Sequence, residues 1–151
     1  MTKPRRVNVR GIIFKDGKLL LTKFRQDDGS ESSYWGTFGG GLDIGESFEV
    51  GLHREIIEET GIAPEIGKLL FIQQFADEEK EYLELFFHIK NTDDYSEINL
   101  EETSHGMLEL TRSEYVDPKA SEIMPAFLMD IDYPAYIEGD KPVFIHTERL
   151  G

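Results

Sequence analysis

Residues 40–62, GGLDIGESFEVGLHREIIEETGI, place four of their five glutamates and their one arginine at spacings that could support chemistry. The glutamates are Glu46, Glu55, Glu58 and Glu59, and the arginine is Arg54. Carboxylate oxygens are the ligands that hard divalent cations such as Mg²⁺ prefer in proteins. A cation held in this way can neutralise phosphate oxygens and orient a water molecule for hydrolysis. The stretch therefore has the residue types that metal-assisted phosphate chemistry requires.

A helix is predicted to position these residues. Ser47 has the side chain of an N-cap, and Glu49 favours a first helical turn. Gly61, followed by Pro64, is a typical stop signal. We therefore expect a helix over residues 48–60.

The predicted helix would crowd three negative charges together. At about 100° per residue, Glu55, Glu58 and Glu59 project from one sector, because positions three and four apart are neighbours. The side expected to pack against the protein is marked by Phe48, Leu52 and Ile56. Glu59 falls angularly between two of these apolar residues, so we expect its carboxylate to be partly shielded from solvent.

The crowded charges need a positive partner. At ~5 Å and an effective dielectric constant of ~20, each like-charged pair costs on the order of 3 kcal/mol. Arg54 can neutralise one of the three carboxylates but not all of them. Mg²⁺ supplies the missing charge most simply, with Mn²⁺ as the alternative ion. For three glutamates alone, an acidic solvated helix face would be preferred; Arg54, Glu46 and the glycines at their spacings favour the metal site.

Three successive glycines precede the predicted helix. Gly39, Gly40 and Gly41 follow a short strand predicted over residues 34–38. Glycines let the backbone come close to a ligand, so Gly39 and Gly41 are candidates for substrate contact. The alternative is a simple bend between strand and helix.

Aromatic and basic residues near the glycines are candidates for substrate binding. Tyr34, Trp35 and Phe38 could stack on a nucleobase, and Arg10 and Arg25 could contact phosphate. Packing in the core is the alternative for the aromatic residues.

The remaining sequence predicts the elements that position this site. Residues 7–14 and 19–24 are largely apolar and flank a turn sequence, so they predict a hairpin. Strands are also predicted at 68–74 and 81–90, and the second has one apolar face and one mixed face. The mixed face could line a pocket; the alternative is a covered, partly solvated sheet face.

The last third of the chain predicts one more helix between two short strands. A strand is expected at residues 107–110, a helix at 118–129 and an edge strand at 143–146. Strands interleaved with two helices indicate an α/β fold with a mixed sheet. At 151 residues, we expect one domain that spans 1–151.

Composition excludes several classes of function. The net charge is −14, which argues against binding long nucleic acid through phosphate neutralisation. The absence of cysteine excludes disulfides, thiolate zinc sites and cysteine nucleophiles. No apolar run approaches the roughly 20 residues that span a bilayer, and no secretory signal is recognisable. We therefore expect a cytoplasmic protein without a membrane partner.

Residues 40–62 fit the pattern Gly-x5-Glu-x7-Arg-Glu-U-x-Glu-Glu-x-Gly-U, with U apolar, at every specified position. This pattern resembles the Nudix box, the signature of hydrolases that cleave a diphosphate linked to a nucleoside. The segments RVNVRGIIFKDGKLLLTKF and YWGTFGGGLDIGES are similar to the flanking parts of Nudix domains. The resemblance implies a Nudix-like α/β/α sandwich with a mixed β-sheet. It also implies Mg²⁺-dependent hydrolysis of a small nucleotide: a nucleoside triphosphate, an oxidised nucleotide or an ADP-ribose-like substrate.

The resemblance also implies roles for individual residues. The positions that match the metal ligands of the family are Gly40, through its carbonyl, Glu55, Glu58 and Glu59. Arg54 would hold a glutamate in place, and Glu46 would support the loop or a water on the metal. Glu55 is the first choice for the general base and the loop residue Glu102 is the second. Glu58 completes the expected catalytic group.

Two alternatives to an enzyme stay open. The first is a catalytically silent Nudix-like module that binds a nucleotide and regulates a partner, although such a module would be expected to lose charged residues of the box. The second is an acidic protein-interaction domain, which would leave the glutamate cluster unexplained. Homodimers are common among Nudix proteins, so a homodimer is a possible assembly.

Overall fold

The computed structural model describes residues 3–148 of the chain. Within this range the backbone forms eight β-strands and three α-helices. The strands are β1 (Arg5–Ile12), β2 (Phe14–Lys15), β3 (Lys18–Phe24), β4 (Phe38–Gly41), β5 (Ile66–Ala76), β6 (Glu81–Ile89), β7 (Leu110–Val116) and β8 (Phe144–Glu148). The helices are α1 (Phe48–Thr60), α2 (Gly106–Glu109) and α3 (Tyr133–Ile137), and 3₁₀ turns cover Thr92–Tyr95, Leu100–Glu102 and Ala126–Asp130.

The strands form a mixed five-stranded sheet and a smaller antiparallel sheet. The order in the main sheet is β4-β1-β6-β5-β8. In it β1 runs parallel to β6, and β5 runs parallel to β8, whereas β4 pairs antiparallel with β1 and β5 pairs antiparallel with β6. In the second sheet β3 lies between β2 and β7. The predicted α/β fold with a mixed sheet is confirmed.

Helical segments cover both faces of the main sheet. On one face Leu52 and Ile56 of α1 are fully buried, in the same apolar cluster as Val9 of β1. On the other face the ring of Phe71 in β5 contacts Tyr136 of α3 edge-on, with ring centroids 5.4 Å apart. Burial of apolar side chains on both faces of the central strands stabilises the fold. None of the helices in the described range is long and apolar enough to cross a membrane.

Helix α1 spans the residues that the sequence predicts. The Ser47 side chain accepts a hydrogen bond from the Val50 amide at 3.2 Å, and Gly61 adopts the left-handed conformation at φ 76°. The strands predicted at 68–74 and 81–90 are confirmed as β5 and β6, each within a few residues of the expected bounds.

The predicted hairpin between residues 7–14 and 19–24 forms only next to its turn. Asp16 and Gly17 take positive φ values of 52° and 79°, as a tight hairpin turn requires. Only the two residues of β2 pair with β3 there. The preceding residues form β1 in the main sheet instead, where β4 and β6 flank the strand. The central position gives β1 two pairing partners, which a hairpin extended along its length would not.

The strand predicted at residues 107–110 is wrong. This segment is the short helix α2, which begins where the Gly106 amide donates a hydrogen bond to the Thr103 side chain at 2.8 Å. The strand β7 starts only at Leu110, which is fully buried. Its pairing with β3, about 90 residues away in sequence, was not predicted.

The helix predicted at residues 118–129 is also wrong, except for the 3₁₀ turn that begins at Ala126. The Trp35 amide donates to the Glu122 carbonyl at 2.9 Å, and the Met124 amide donates to the Trp35 carbonyl at 2.9 Å. These bonds hold the segment alongside Trp35 as a β-bridge at Ile123. The edge strand predicted at 143–146 is confirmed as β8.

Candidate active site

Helix α1 presents its carboxylates to the backbone of strand β4. A Cβ atom built on Gly40 would lie 2.5 Å from a carboxylate oxygen of Glu55. The Gly39 amide donates a hydrogen bond to Glu59 Oε1 at 2.7 Å. Gly39 also has a φ of 140°, which favours glycine. The glycines therefore bring bare backbone against α1. The strand predicted at residues 34–38 is wrong except for Phe38, because β4 begins there and includes the glycines.

Arg54 connects the glutamates of the site. Its guanidinium makes two hydrogen bonds of 2.8 Å to the Glu46 carboxylate. Its Nη1 donates to Glu55 at 3.0 Å and lies 3.4 Å from both carboxylate oxygens of Glu58. Its Nη2 also donates to the Gly41 carbonyl at 3.1 Å. The bonds from Arg54 to Glu46 hold the pKa of that carboxyl group down, at about 2. A carboxylate oxygen of Asp43 lies 3.6 Å from Nη2 as well, so one arginine is shared by four carboxylates.

Two glutamates are buried more deeply than their charge favours. Glu59 is 2% exposed, and burial raises its pKa from 4.5 to about 8. Burial is also the main reason that the pKa of Glu55 is raised. The expectation that Glu59 is partly shielded therefore understates the effect. A nearby cation stabilises the ionised form of such a buried carboxylate.

Two residues near the glutamates of α1, His105 and Glu109, were not selected from the sequence. His105 lies with Nδ1 3.4 Å from a Glu58 carboxylate oxygen. The charge of Glu109 contributes to raising the pKa of both Glu55 and Glu59. Glu102, the second choice for the general base, has an exposed side chain in a 3₁₀ turn. The carboxylate outside α1 that raises the pKa of Glu55 and Glu59 is thus Glu109, at the end of α2.

The donor atoms of this region are of the type that hard divalent cations prefer. They are carboxylate oxygens of α1 beside the backbone of β4, and one shared arginine does not neutralise them. Within residues 3–148, no three histidine, aspartate or glutamate side chains are already gathered into a metal site. Arg54 occupies oxygens of Glu55 and Glu58 in this structure. The residues therefore suit Mg²⁺ by chemistry, without forming a ready coordination sphere.

Arg10 is part of a buried polar network behind β4. Its Nη1 donates to the Gly39 carbonyl at 3.1 Å, and its Nε donates to Glu84 at 3.2 Å. Glu84 is 6% exposed and also accepts hydrogen bonds from Asn8 and Gln73, both at 3.0 Å. Gly39 therefore links this network to Glu59, because its carbonyl bonds to Arg10 and its amide bonds to Glu59.

A cavity of about 630 Å³, here called the aromatic cavity, opens beside Arg10. Its walls include Phe24, Tyr34, Phe75, Tyr82 and Phe86, with Gln73 and Glu84 as polar groups. The rings of Phe75 and Tyr82 stack with centroids 4.6 Å apart. The mixed face of β6 therefore does line a pocket.

Three residues selected for substrate binding do not offer a free surface. Phe38 is fully buried in the core. Trp35 is 8% exposed, and the cationic groups of Lys23 and Arg112 lie over its ring at 5.1 and 5.0 Å. Arg25 donates to the carbonyls of Met107 and Leu110 at 3.1 and 3.3 Å and so fastens α2 and the start of β7 to β3. Packing is the correct interpretation for Trp35 and Phe38.

A second cavity, of about 640 Å³, lies beside Glu55 and the segment between β4 and α1. We call it the basic cavity because three of its lining residues are Arg5, Arg6 and Lys80. Gly41 and the carboxylates of Asp43, Glu46 and Glu55 line the same space. Sequence reasoning missed these basic residues, because nothing in their local pattern shows that β1 and the β5–β6 turn meet at this place.

The fold and this site together define a mixed-sheet α/β protein in which an acidic helix faces a glycine-rich strand. Comparison with known protein families matches residues 4–131 to the NUDIX domain. The chain belongs to this family.

Individual relatives agree with this assignment. An ADP-ribose pyrophosphatase of Methanocaldococcus jannaschii is 39% identical over 74 residues, which are 47% of this chain and 41% of that protein. Nucleoside triphosphatase NudI of Enterobacter sp. (strain 638) is 44% identical over 55 residues, 36% of this chain and 39% of that protein. The chain thus spans about two fifths of the length of these curated relatives. The crystal structure of a MutT protein from Methanosarcina mazei Go1 has the same fold, with a TM-score of 0.67, 23% identity, and coverage of 86% of this chain and 91% of that chain.

Proposed function

We propose that this protein hydrolyses the pyrophosphate linkage of a nucleoside diphosphate derivative with the help of Mg²⁺. The observation that carries the proposal is the buried acidic face of α1 against the glycine backbone of β4. Glu59 is buried there and Glu55 touches Gly40, while Arg54 is shared among Glu46, Glu55 and Glu58. A protein with no use for a cation at this position would gain stability by replacing these carboxylates.

The residues that would hold the cation are Glu55, Glu58 and Glu59 together with the carbonyl of Gly40. Mg²⁺ neutralises phosphate oxygens and lowers the pKa of water, which is the help that phosphoanhydride hydrolysis needs. Arg54 and Glu46 act as positioning residues. The two hydrogen bonds between them fix the Arg54 guanidinium, which in turn contacts Glu55 and Glu58. Glu55, whose pKa is raised by burial, is proposed as the general base.

The aromatic cavity is proposed to hold the nucleoside. The stacked rings of Phe75 and Tyr82 and the side chain of Tyr34 offer apolar surfaces for a base. Gln73 and the Arg10–Glu84 pair supply the few polar groups that can orient it. Through the Gly39 carbonyl, Arg10 connects this cavity to the acidic helix.

A hydrolysis screen with Mg²⁺ tests this function. The panel is nucleoside triphosphates, oxidised nucleoside triphosphates, ADP-ribose, nucleotide sugars and dinucleoside polyphosphates. We expect at least one compound to be hydrolysed with kcat/KM above ~10⁴ M⁻¹s⁻¹. Glu58→Gln should lower that rate at least ~100-fold, because it removes a charged ligand and leaves a side chain of the same size.

The matched control is Glu49→Gln, the same change at an exposed position in the first turn of the same helix. Its activity should stay within about twofold of wild type, because a surface substitution away from the site changes little. Circular dichroism and thermal unfolding establish that both variants are folded. A folded Glu58→Gln variant that retains full activity would overturn the proposed site. No hydrolysis of any compound by the metal-loaded wild type would instead favour a silent nucleotide-binding module.

A further inference from the structure

The basic cavity brings three cationic side chains together in a strongly acidic protein. The chain has 16 lysines and arginines against 30 aspartates and glutamates. Arg5, Arg6 and Lys80 nevertheless line one cavity. The three carboxylates in the same lining, Asp43, Glu46 and Glu55, each pair with Arg54. The three cationic side chains come from β1 and from the turn before β6, which are far apart in sequence. The fold therefore concentrates cationic side chains next to the acidic helix.

Arg6 lies directly against the glycine strand. Its Nε donates a hydrogen bond to the Asn8 side chain at 2.8 Å. A Cβ atom built on Gly41 would lie 2.7 Å from Arg6 Nη2, so the guanidinium fills the space that a side chain at Gly41 would take. Gly41 is thus flanked by two arginines, because its carbonyl accepts a hydrogen bond from Arg54 at 3.1 Å.

Two of the cations in this cavity have no acidic partner. Arg5 pairs with Glu81 at 2.9 Å. In the part of the chain that the structure describes, neither Arg6 nor Lys80 forms a salt bridge, although carboxylates outnumber cations nearly two to one. Side chains of this kind in a cleft attract anions, and guanidinium and ammonium groups both bind phosphate oxygens well.

From these contacts we propose that the basic cavity binds the terminal phosphates of a nucleoside triphosphate, with Arg6 and Lys80 as the residues that contact them. The inference rests on the proposed function and narrows its substrate class. Arg6 and Arg10 lie on the same face of β1, four residues and so about 13 Å apart along the strand. A nucleoside in the aromatic cavity would therefore extend its polyphosphate past Gly39–41 into the basic cavity.

This placement discriminates between two kinds of substrate. A nucleoside triphosphate brings charged phosphate groups to Arg6 and Lys80. ADP-ribose brings an uncharged ribose to the same position, and the two cations then gain no charged partner. Arg6 and Lys80 therefore favour triphosphates, and their removal should affect triphosphates selectively.

The test compares kcat/KM for a nucleoside triphosphate and for ADP-ribose in wild type, Arg6→Gln and Lys80→Gln. Each variant should lower kcat/KM for the triphosphate about tenfold, mainly through KM, and change that for ADP-ribose less than about twofold. Lys90→Gln, the same charge change at a lysine that lines neither cavity and pairs with Glu65 at 3.4 Å, is the matched control and should affect neither substrate. An equal loss on both substrates, no loss on either, or a wild type that hydrolyses only ADP-ribose would overturn the proposal.

A binding measurement separates this proposal from the proposed function. Isothermal calorimetry with inorganic pyrophosphate and Mg²⁺ needs no turnover. Arg6→Gln should raise the Kd for pyrophosphate about tenfold, and Lys90→Gln should leave it unchanged. If the wild type hydrolyses no compound but this pattern of Kd values is observed, the hydrolase proposal fails and the phosphate site stands. An unchanged Kd in Arg6→Gln, or no pyrophosphate binding by wild type, overturns the phosphate site.

Discussion

Glu59 carries its carboxylate where the fold admits almost no water. It is 2% exposed, and it accepts a hydrogen bond from the Gly39 amide. Burial raises its pKa to about 8, so the metal-free folded protein holds a proton there that the unfolded chain releases near its usual 4.5. A divalent cation at this position would replace that proton.

This difference predicts how Glu59→Gln changes stability with pH. The wild-type free energy of unfolding, without divalent cations, should fall as pH rises from 4.5 towards 8, because the folded state binds more protons than the unfolded state. Glutamine keeps an oxygen for the Gly39 bond and has no proton to lose. The free energy of unfolding of the variant minus that of wild type should therefore be higher above pH 8 than at pH 4, by on the order of 5 kcal/mol. Urea unfolding measures this difference.

The control for this experiment is Glu49→Gln, whose position on α1 is exposed. Its difference from wild type should stay constant across the same pH range. If the Glu59→Gln difference is equally flat, the carboxyl group of Glu59 is not a buried proton acceptor, and the argument for a cation beside it loses its main support.

Local spacing predicted some residue environments well and others poorly. The helical period alone placed Glu55, Glu58 and Glu59 in one sector, and α1 does orient them that way towards β4 and Arg54. The aromatic ring of Trp35 predicts a stacking surface, but sequence cannot show that Lys23 and Arg112 cover that ring. Such contacts join segments that are distant along the chain.

The glycines of strand β4, Gly39–Gly41, matter because they put no side chain between their backbone and α1. Gly40→Ala would insert a methyl group 2.5 Å from a Glu55 carboxylate oxygen, where it cannot fit unless Glu55 moves. The end of a glutamate side chain moves easily, so we expect the fold to survive. Activity should fall about 100-fold, the usual cost of misplacing a catalytic group by about 1 Å.

Gly67→Ala in β5 is the matched control for this prediction. A Cβ there would also press on a side chain, with His88 Nδ1 at 3.1 Å, but away from the site. Its steady-state rate should remain close to wild type, and thermal unfolding should show both variants folded. Wild-type activity in Gly40→Ala would show that function does not require the close packing of β4 against the Glu55 carboxylate.

At the scale of elements, the sequence predicted what local signals determine. Ser47 and Gly61 fixed both ends of α1, because caps act within one turn. Residues 118–129 have a helical pattern of apolar side chains, yet their backbone bonds to Trp35 instead. Strand β7 was missed because its pairing with β3 depends on a contact about 90 residues away in sequence.

The whole molecule combines two cavities with one acidic helix. Strand β1 contributes Arg10 to the aromatic cavity and Arg6 to the basic cavity, and β4 lies beside it with the glycines. The sequence predicted an α/β fold with a mixed sheet, but not that β1 is parallel to β6, since parallel pairing joins distant segments. The basic cavity depends on that pairing, because it brings Arg6 opposite Tyr82, two residues beyond Lys80.

The central claim is that the carboxylates of α1 bind a divalent cation, and a Mn²⁺ titration followed by electron paramagnetic resonance tests it most directly. Free Mn²⁺ should disappear from the spectrum as wild-type protein binds it, and Mg²⁺ should displace it. We predict at least tenfold weaker binding in Glu58→Gln and wild-type binding in Glu49→Gln. Equal Mn²⁺ affinity in wild type and Glu58→Gln, or no binding by the wild type, would contradict the account.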